Sequence, residues 1–584
     1  MSAISANGHG PRFKPLPPVS VTFLGTSSGG GPILSRNCSS LAVDFGNEIW
    51  LFDAADGTLM RLHQSSIRIA NISRMFITHM HADHVLGVVA IMMTIMSGVG
   101  VKPGENEQLA KLGKKKTATF HIYGPAGIRN LIRTTLKVTS INLAGVYAVH
   151  EILEQGEAPS TKCEEEDLHS NEAVGVDFVA NEDGVWEDIL QQGNGKGGKG
   201  WSVKAGPIHH RVPSLGYILE EPTPRVQLDT ATLIPLLQSN AEGLASLDPP
   251  IKHPLSLLSH LTSLPPPPPY TLPSGDVIHP PQPSGVSPRK LVIFGDCSGG
   301  TENPTFQKMC AEPSLLVHEC TNGHIPYKVQ RGDKGMKIRK QDLEPSLEEK
   351  RDKLFFHKQP GSGIKDKTNG NGSSDESFKD DEKRRAIQEK AISRGHSTPE
   401  EVGTFAKVIK AKRVIINHFS AMFPSPHYAS SQPFPSILSP ISPHPYPSPF
   451  TSTGHGAASK VEPHELTKGE LHTRLIMQSL ADQITDIWTS QTDQSDGQGV
   501  GEEDKVERMA IPSRDFMNIR IPSHELSEGE QEEIKAYRLE VQEVMISWKD
   551  NGGVWVPRDR DEGRVWLGVD RQPAAEPSHI RFEE

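Results

Sequence analysis

Cysteine is scarce in this chain: five residues (Cys38, Cys163, Cys297, Cys310 and Cys320) in 584, with no CxxC pair among them. That excludes a disulfide framework and suits a reducing compartment. No run of 18 or more apolar residues occurs, so no transmembrane helix is expected. The first twenty residues lack the apolar stretch of a secretory signal. Hydrophobic residues are also few, 35% of the chain, against about 45–50% in ordinary globular proteins on a count that includes glycine. Length alone, at about 150 residues per domain, suggests several domains. The low apolar content, with 47 prolines and 52 glycines, instead predicts one large core interrupted by poorly ordered segments. The net charge of −11 weighs against a nucleic-acid partner. Acidic insertions such as residues 164–167 and 375–382 can carry that charge, which leaves room for a basic face elsewhere.

What is present begins at residues 21–26, a short apolar strand running into a Ser/Gly turn at 27–31. Strand-like alternation follows at 40–45 and 49–53, and 75–78 reads as a buried strand. Residues 85–96 are apolar nearly all round, as in a helix packed inside a layered α/β domain. The pattern predicts an N-terminal tail at 1–19 and a main domain at 20–423. Insertions are expected at about 153–200, 221–289 and 324–383, with a flexible turn at 193–200. The second insertion contains Pro265 to Pro269, which favours extended polyproline II. A Pro/Ser-rich linker at 424–460 then leads to a C-terminal extension at 461–584. That extension has two helical patterns, 471–488 and 530–548, and an aromatic segment at 554–567; the sequence suggests no role for it.

The chemistry lies in Thr78-His79-Met80-His81-Ala82-Asp83-His84. An HxHxDH cluster on a loop leaving a strand end can turn four N/O ligands into one small volume. Imidazole and carboxylate suit zinc, and can also hold manganese or iron. A dinuclear centre needs more ligands, one of them bridging. Candidates stand at the ends of apolar strands: His210 after 201–205, Asp296 after 291–295, and His418 after 413–417.

These motifs resemble the metallo-β-lactamase superfamily and, within it, ribonuclease Z. The matching pieces are FLGTS (23–27), FITHMHADH (76–84), YGPAG (123–127), HRVPSLGY (210–217), FGDCS (294–298), LLVHECT (315–321), GHST (395–398) and INHFS (416–420). HxHxDH alone indicates only the superfamily; the later motifs, in this order, narrow it. The resemblance spans about residues 20–425. Cys320 stands where alanine is usual, and residues 221–289, in the slot of the family's tRNA-gripping arm, lack the expected Gly-Pro-rich motif.

The resemblance implies an αββα sandwich of two mixed sheets with the metals at one edge. It implies two Zn2+ ions, one held by His79, His81, His210 and Asp296, the other by Asp83, His84, Asp296 and His418, with Asp296 bridging. His210 is preferred to His209 because it immediately precedes Arg211-Val212-Pro213. The implied reaction is removal of 3′ trailers from tRNA precursors, with metal-bound hydroxide attacking the phosphodiester. The products would be a tRNA 3′-hydroxyl and a trailer 5′-phosphate. Asp83 would also handle the nucleophile's proton, His396 would act as general acid, and Glu319 would orient His396, while His318 is expected to be structural. For the RNA backbone, Lys102 and the lysines of 111–116 are candidates, with Arg211, Ser214 and Tyr217 nearer the scissile phosphate. The resemblance also implies that two copies can pair. Cytosol or nucleus fits the thiols, and a mitochondrial pool is compatible. Two alternatives remain: a phosphodiesterase or other hydrolase of small molecules on the same fold, and a non-catalytic scaffold.

Overall fold

In the computed structural model the described residues are 19–29, 36–96, 117–141, 143–191, 200–325, 372–421, 423, 468–490, 508–521, 528, 531, 553–557 and 564–568. Lys102, residues 111–116, nearly all of the 193–200 turn, the 424–460 linker and the 530–548 helical pattern (apart from residue 531) lie outside them. So do the N-terminal tail up to residue 18 and most of the 324–383 insertion.

Two mixed sheets carry the fold. Sheet I contains β1 (Val19–Gly25), β2 (Ser40–Asp44), β3 (Ile49–Phe52), β4 (Ile72–Phe76), β5 (Phe120–Pro125), β6 (Tyr147–Leu153), β7 (Glu172–Ala173) and β8 (Phe178–Val179). These lie in chain order from β1 to β7, with β8 also on β6. Sheet II contains β9 (Trp186–Leu190), β10 (Ser202–Ile208), β11 (Ser214–Glu220), β14 (Lys290–Phe294), β15 (Leu315–Glu319) and β16 (Val414–Asn417), again in chain order.

Alternation along the sheet II strands assigns their faces. Leu215, Tyr217 and Leu219 of β11, Leu291 and Ile293 of β14, Leu315 and Val317 of β15, and Ile415 of β16 meet Val21, Phe23, Leu41, Trp50, Phe52 and Phe76 of sheet I in one buried cluster. The intervening residues Ile218, Val292, Leu316 and Ile416 face the other way, under helices. On the far side of sheet I, Leu51, Met75 and Ile122 pack against α1 (Thr58–Gln64), α3 (Val88–Met96) and α4 (Ile128–Val138). The result is the helix–sheet–sheet–helix sandwich expected from the motifs.

The apolar run at 85–96 forms two helices rather than one, α2 (Ala82–Val85) and α3. Gly87 lies between them, and a Cβ there would stand 2.0 Å from the Ala55 carbonyl oxygen. Its N–H donates to Ala54 O at 2.8 Å, while Ala54 N–H donates to His84 O at 2.7 Å. The break seats His84 against the end of β3.

The boundary expected at residue 423 does not coincide with the fold. β17 (Ile511–Pro512) extends sheet II beside β16, and β18 (Asn518–Ile521) extends sheet I antiparallel to β1. Helix α9 (Lys468–Thr489) packs on α8 (Pro399–Val408), and Leu480, Ile484 and Trp488 join the outer cluster of sheet II. Residues 468–490 and 508–521 are therefore part of the sandwich. The aromatic segment forms a hairpin, β19 (Gly553–Pro557) with β20 (Arg564–Gly568).

The insertion at 221–289, expected to be poorly ordered, is folded. It contains α5 (Thr230–Ser239), α6 (Ala241–Ala245), α7 (Ser256–Leu261) and a two-stranded ribbon of β12 (Tyr270–Thr271) and β13 (Val277–Ile278). Leu237, Leu244, Leu257, Leu261, Leu272 and Ile278 form its own small core. The leucines outweigh the prolines here. The base of the insertion is closed by Arg289, whose guanidinium donates to the Glu221 carboxylate and to Ile521 O. Among the described residues, no helix is long and apolar enough to cross a membrane.

Candidate metal centre and its cleft

Strand direction brings the expected residues to one edge. In sheet II, β14, β15 and β16 are parallel, and β10 points the same way because β11 is antiparallel to both β10 and β14. The C-terminal ends of these four strands therefore lie together, carrying His210, Asp296, Glu319 and His418. In sheet I, parallel strands β3 and β4 deliver Asp53 and the 78–84 turn to the same edge. The sheets are joined there: Leu215 N–H donates to Thr78 O at 2.8 Å, and the Tyr217 hydroxyl donates to Ile77 O at 2.6 Å.

Two ligand sets result. In the first, His81 Nδ1 lies 3.0 Å from His79 Nε2 and 3.3 Å from His210 Nε2, with Asp296 Oδ2 at 3.7 and 4.0 Å from the latter two. In the second, Asp296 Oδ1 lies 3.3 Å from His84 Nε2 and 3.0 Å from His418 Nε2. Asp83 Oδ2 stands 3.4 and 3.7 Å from the same two nitrogens. Both sets satisfy the spacing of a cation site, and Asp296 divides its two oxygens between them.

Hydrogen bonds on the outer side of each ring fix which nitrogen faces inward. His84 Nδ1 donates to Asp53 Oδ2 at 2.6 Å. Thr78 gives its hydroxyl proton to Asp53, so it accepts from His79 Nδ1 at 3.0 Å. Thr321 likewise donates to Glu319 and accepts from His418 Nδ1 at 2.8 Å. His210 Nδ1 donates to Gly395 O at 2.7 Å. Each ring thus presents a bare Nε2. Those of His84 and His418, with Asp296 Oδ1, are buried without a hydrogen-bond partner. Orphaned acceptors buried this way are costly, and a divalent cation satisfies all three. In the first set, a proton on His81 Nδ1 could serve one neighbour well, whereas a cation serves every ligand. Nitrogens about 2.0–2.1 Å from a common tetrahedral centre sit about 3.3 Å apart, close to the spacing seen. The donors fit the implied metal pair.

Electrostatics points the same way. Burial opposes charge on Asp296 and Asp83, yet the facing histidines hold both carboxyls well below the usual range. Burial also opposes charge on His84, but Asp296 and Asp53 overcome it and raise its pKa well above the ordinary value. The second set demands positive charge. Burial keeps His79, His81 and His210 below the ordinary histidine value, in the neutral form that ligands need. Asp53 and His418 have φ of 58° and 60°, left-handed backbone that non-glycine residues adopt at a cost of about 1–3 kcal/mol.

His396 stands beside these sets. Its Nδ1 donates to Glu319 Oε1 at 2.9 Å, which leaves Nε2 as the free nitrogen. Burial disfavours its charge, but the hydrogen bond and charge of Glu319, with Asp296, raise its pKa. Glu319 is itself saturated, accepting also from Cys297 N and from the Thr321 N–H and hydroxyl. His318 is turned away and bonded to Glu319 O and Cys297 Sγ.

A cleft of about 650 Å³ opens over the centre, lined by His81, Asp83, Asp296, Thr321 and His396 and by the cations Arg211, Lys390 and Arg394. Of the three residues expected near a scissile phosphate, only Arg211 lines this cleft. Tyr217 is buried between the sheets, and Ser214 is buried and donates to Asp296 O. His209 is exposed and outside both ligand sets. Sequence reasoning missed Asp53, which ends an apolar strand just as Asp296 does. It also missed Thr321, inside a motif already singled out, and Lys390 and Arg394, which border the charged insertion.

A family model described as anti-Pycsar protein Apyc1 matches residues 19–103. Zinc phosphodiesterase ELAC protein 1 of Bos taurus is 27% identical over 413 residues, 69% of this chain and 87% of that protein. Ribonuclease Z of Staphylococcus carnosus is 31% identical over 218 residues, 37% of this chain and 54% of that protein. Among solved structures, human tRNase Z, short form (ELAC1), aligns at 22% identity with a TM-score of 0.37, covering 69% of this chain and 93% of that one. The names of these relatives agree with the motif-level resemblance to ribonuclease Z, and the two mixed sheets between helices are the sandwich that the resemblance implies.

Proposed function

We propose that this protein is a zinc-dependent endoribonuclease that removes 3′ trailers from tRNA precursors, leaving a 3′-hydroxyl on the tRNA and a 5′-phosphate on the trailer. The observation that carries the reading is the joint arrangement of two ligand sets sharing Asp296 with the His396–Glu319 pair in one cationic cleft. The names of the relatives, a zinc phosphodiesterase and a ribonuclease Z, agree with it. His79, His81, His210 and Asp296 would hold one cation, and Asp83, His84, Asp296 and His418 the other. When bound, such a pair supplies Lewis acidity to a phosphoryl group and acidifies coordinated water.

The chain's own residues do the rest. Asp83, on the cleft wall, has a carboxylate held ionised by its histidine neighbours and can accept a hydrogen bond from the attacking water, holding its proton away from the phosphorus. Glu319 fixes the tautomer of His396, so the proton available to the leaving ribose oxygen sits on Nε2. Arg211, Lys390 and Arg394 place positive charge where the phosphates flanking the scissile bond would lie. The chain's net charge of −11 does not describe this cleft.

The test is incubation of the full chain with a tRNA precursor carrying a 3′ trailer, with and without chelator, beside His396→Ala. Cleavage after the discriminator base that is lost with chelator and in the variant is the expected result. An intact precursor, with hydrolysis of a cyclic nucleotide by the same preparation, would replace this reading with that of a small-molecule phosphodiesterase.

A further inference from the structure

Asp515 lies between β17 and β18, where the chain crosses from sheet II to sheet I. Its carboxylate is buried and fully engaged. Oδ1 accepts from the Thr26 hydroxyl at 2.8 Å, Oδ2 accepts from the Asn37 N–H at 2.6 Å, and Arg61 Nε stands 3.3 Å from Oδ2. Thr26 and Asn37 are the two ends of the segment that leaves β1 and returns to β2. Asp515 therefore grips both ends at once. The grip is reinforced by Thr26 N–H and Ser27 N–H donating to Asn37 O at 2.9 and 2.8 Å, and by Arg36 donating to Thr26 Oγ1 at 2.8 Å.

From this neck the contacts run to the metal centre along two short paths. Phe419, the residue after His418, donates its N–H to Thr26 O and accepts from Ser28 N–H, both at 2.8 Å, and the Arg36 guanidinium lies over its ring at 4.8 Å. Gly29 lies against Asp83, where even a Cβ would stand 2.8 Å from Oδ2. Asp83 and His418 are the two residues that the second ligand set does not share with the first and that do not bond to Asp53. Phe516, next to Asp515, has φ of 64°, so this turn is held in a costly conformation.

We infer that Asp515 is a positioning residue for the second ligand set, holding Thr26–Gly29 so that Asp83 and His418 keep their ligating positions. A carboxylate is needed because only an anion accepts strongly on both oxygens while facing arginines. The choice is expensive: burial raises the Asp515 pKa to about 6 against the pull of Arg61 and Arg36. A neutral side chain would close a turn without that penalty. The C-terminal segment thereby becomes part of the metal centre. The inference rests on the two-cation reading above, but not on the identity of the RNA substrate.

The test counts zinc bound to the full chain by native mass spectrometry across a series of buffered free zinc concentrations. Folding is followed in parallel by circular dichroism. Asp515→Asn is expected to retain one ion with unchanged affinity and to bind the second about 10–100-fold more weakly, the range seen when an outer-shell partner is removed. Thr26→Val should weaken the second ion in the same sense, and Thr26→Ser, which keeps the hydroxyl, should restore it. If Asp515→Asn does not fold, the Thr26 pair carries the test. Two ions held with wild-type affinity by folded variants would overturn the inference, as would equal weakening of both ions. A wild-type chain that binds both ions but leaves the trailer uncleaved would count against the proposed substrate and leave the inference standing.

Discussion

Sheet I delivers His79, His81, Asp83 and His84 from a single turn after β4, whereas sheet II delivers His210, Asp296, Glu319 and His418 one at a time from four strand ends. The sheet I group is a local device: its geometry follows from one turn and the helix break at Gly87. The sheet II group depends on register, since each residue is in place only if four strands are paired correctly. The two meet at Gly295 and Thr78, the residues just before Asp296 and His79, where a Cβ on Gly295 would lie 2.4 Å from Thr78 Cβ. A local cluster can be read from the chain and a distributed one must be assembled, and this centre needs both.

The sharpest way to break the arrangement is at the shared residue. Asp296→Ala removes a ligand from both sets, and cleavage should fall by more than the about 10²–10³-fold that loss of one electrostatic donor produces. Zinc content should fall toward zero in the same preparation. His396→Ala should separate chemistry from assembly. It is expected to lower kcat by about 10²–10⁴-fold while both ions remain, measured by single-turnover cleavage beside metal analysis. Retention of kcat would remove His396 from the proposed acid role.

A third variant tests the junction itself. Gly295→Ala should force the sheets apart at the edge and destabilise the fold by about 1–3 kcal/mol, read from the denaturation midpoint, with zinc affinity weakened in both sets. A wild-type midpoint would mean that the junction is looser than the contact indicates.

The smallest effect is expected within sheet I, away from the candidate metal centre. Val176 N–H donates to His150 Nδ1, and His150 Nε2 is 3.1 Å from His121 Nδ1, so both rings are satisfied in the neutral state. Burial, then the charge of Arg74, lowers the His121 pKa to about 4; burial, then His121, lowers that of His150 to about 3. Both folded-state values lie below the ordinary 6.5, so the unfolded chain takes up protons first as pH falls. The stability these rings contribute is complete above pH 6.5 and is lost between there and about pH 3. Denaturation midpoints at pH 7 and 5 should therefore differ more for the wild type than for His121→Gln. An equal difference would dissociate the pair from acid sensitivity.

The same contrast explains what was legible in the sequence. His79, His81, Asp83 and His84 fall within six positions, and a strand-end loop can gather them whatever the rest of the chain does. The sheet II ligands were legible because each follows an apolar strand, a pattern that singles out Asp296 and His418 and, with the following RVP, separates His210 from His209. Recruitment of residues 508–521 was not legible. β17 and β18 are strands of two and four residues, and Ile521 pairs with Val19 at the opposite end of the chain. Strands that short carry almost no periodic signal. The folded insertion at 221–289 was hidden differently: its prolines dominated the composition, while six scattered apolar side chains supplied a core. Tyr217 looked placed for a phosphate because it is near His210 in sequence, but strand alternation turns it between the sheets.

The most direct test of the central claim is anomalous diffraction at the zinc edge from crystals of the full chain equilibrated with zinc. Two peaks are predicted, one among His79, His81, His210 and Asp296 and one among Asp83, His84, Asp296 and His418, with the Asp296 carboxylate between them. A single peak, or zinc bound away from Asp296, would contradict a two-cation centre assembled from both sheets.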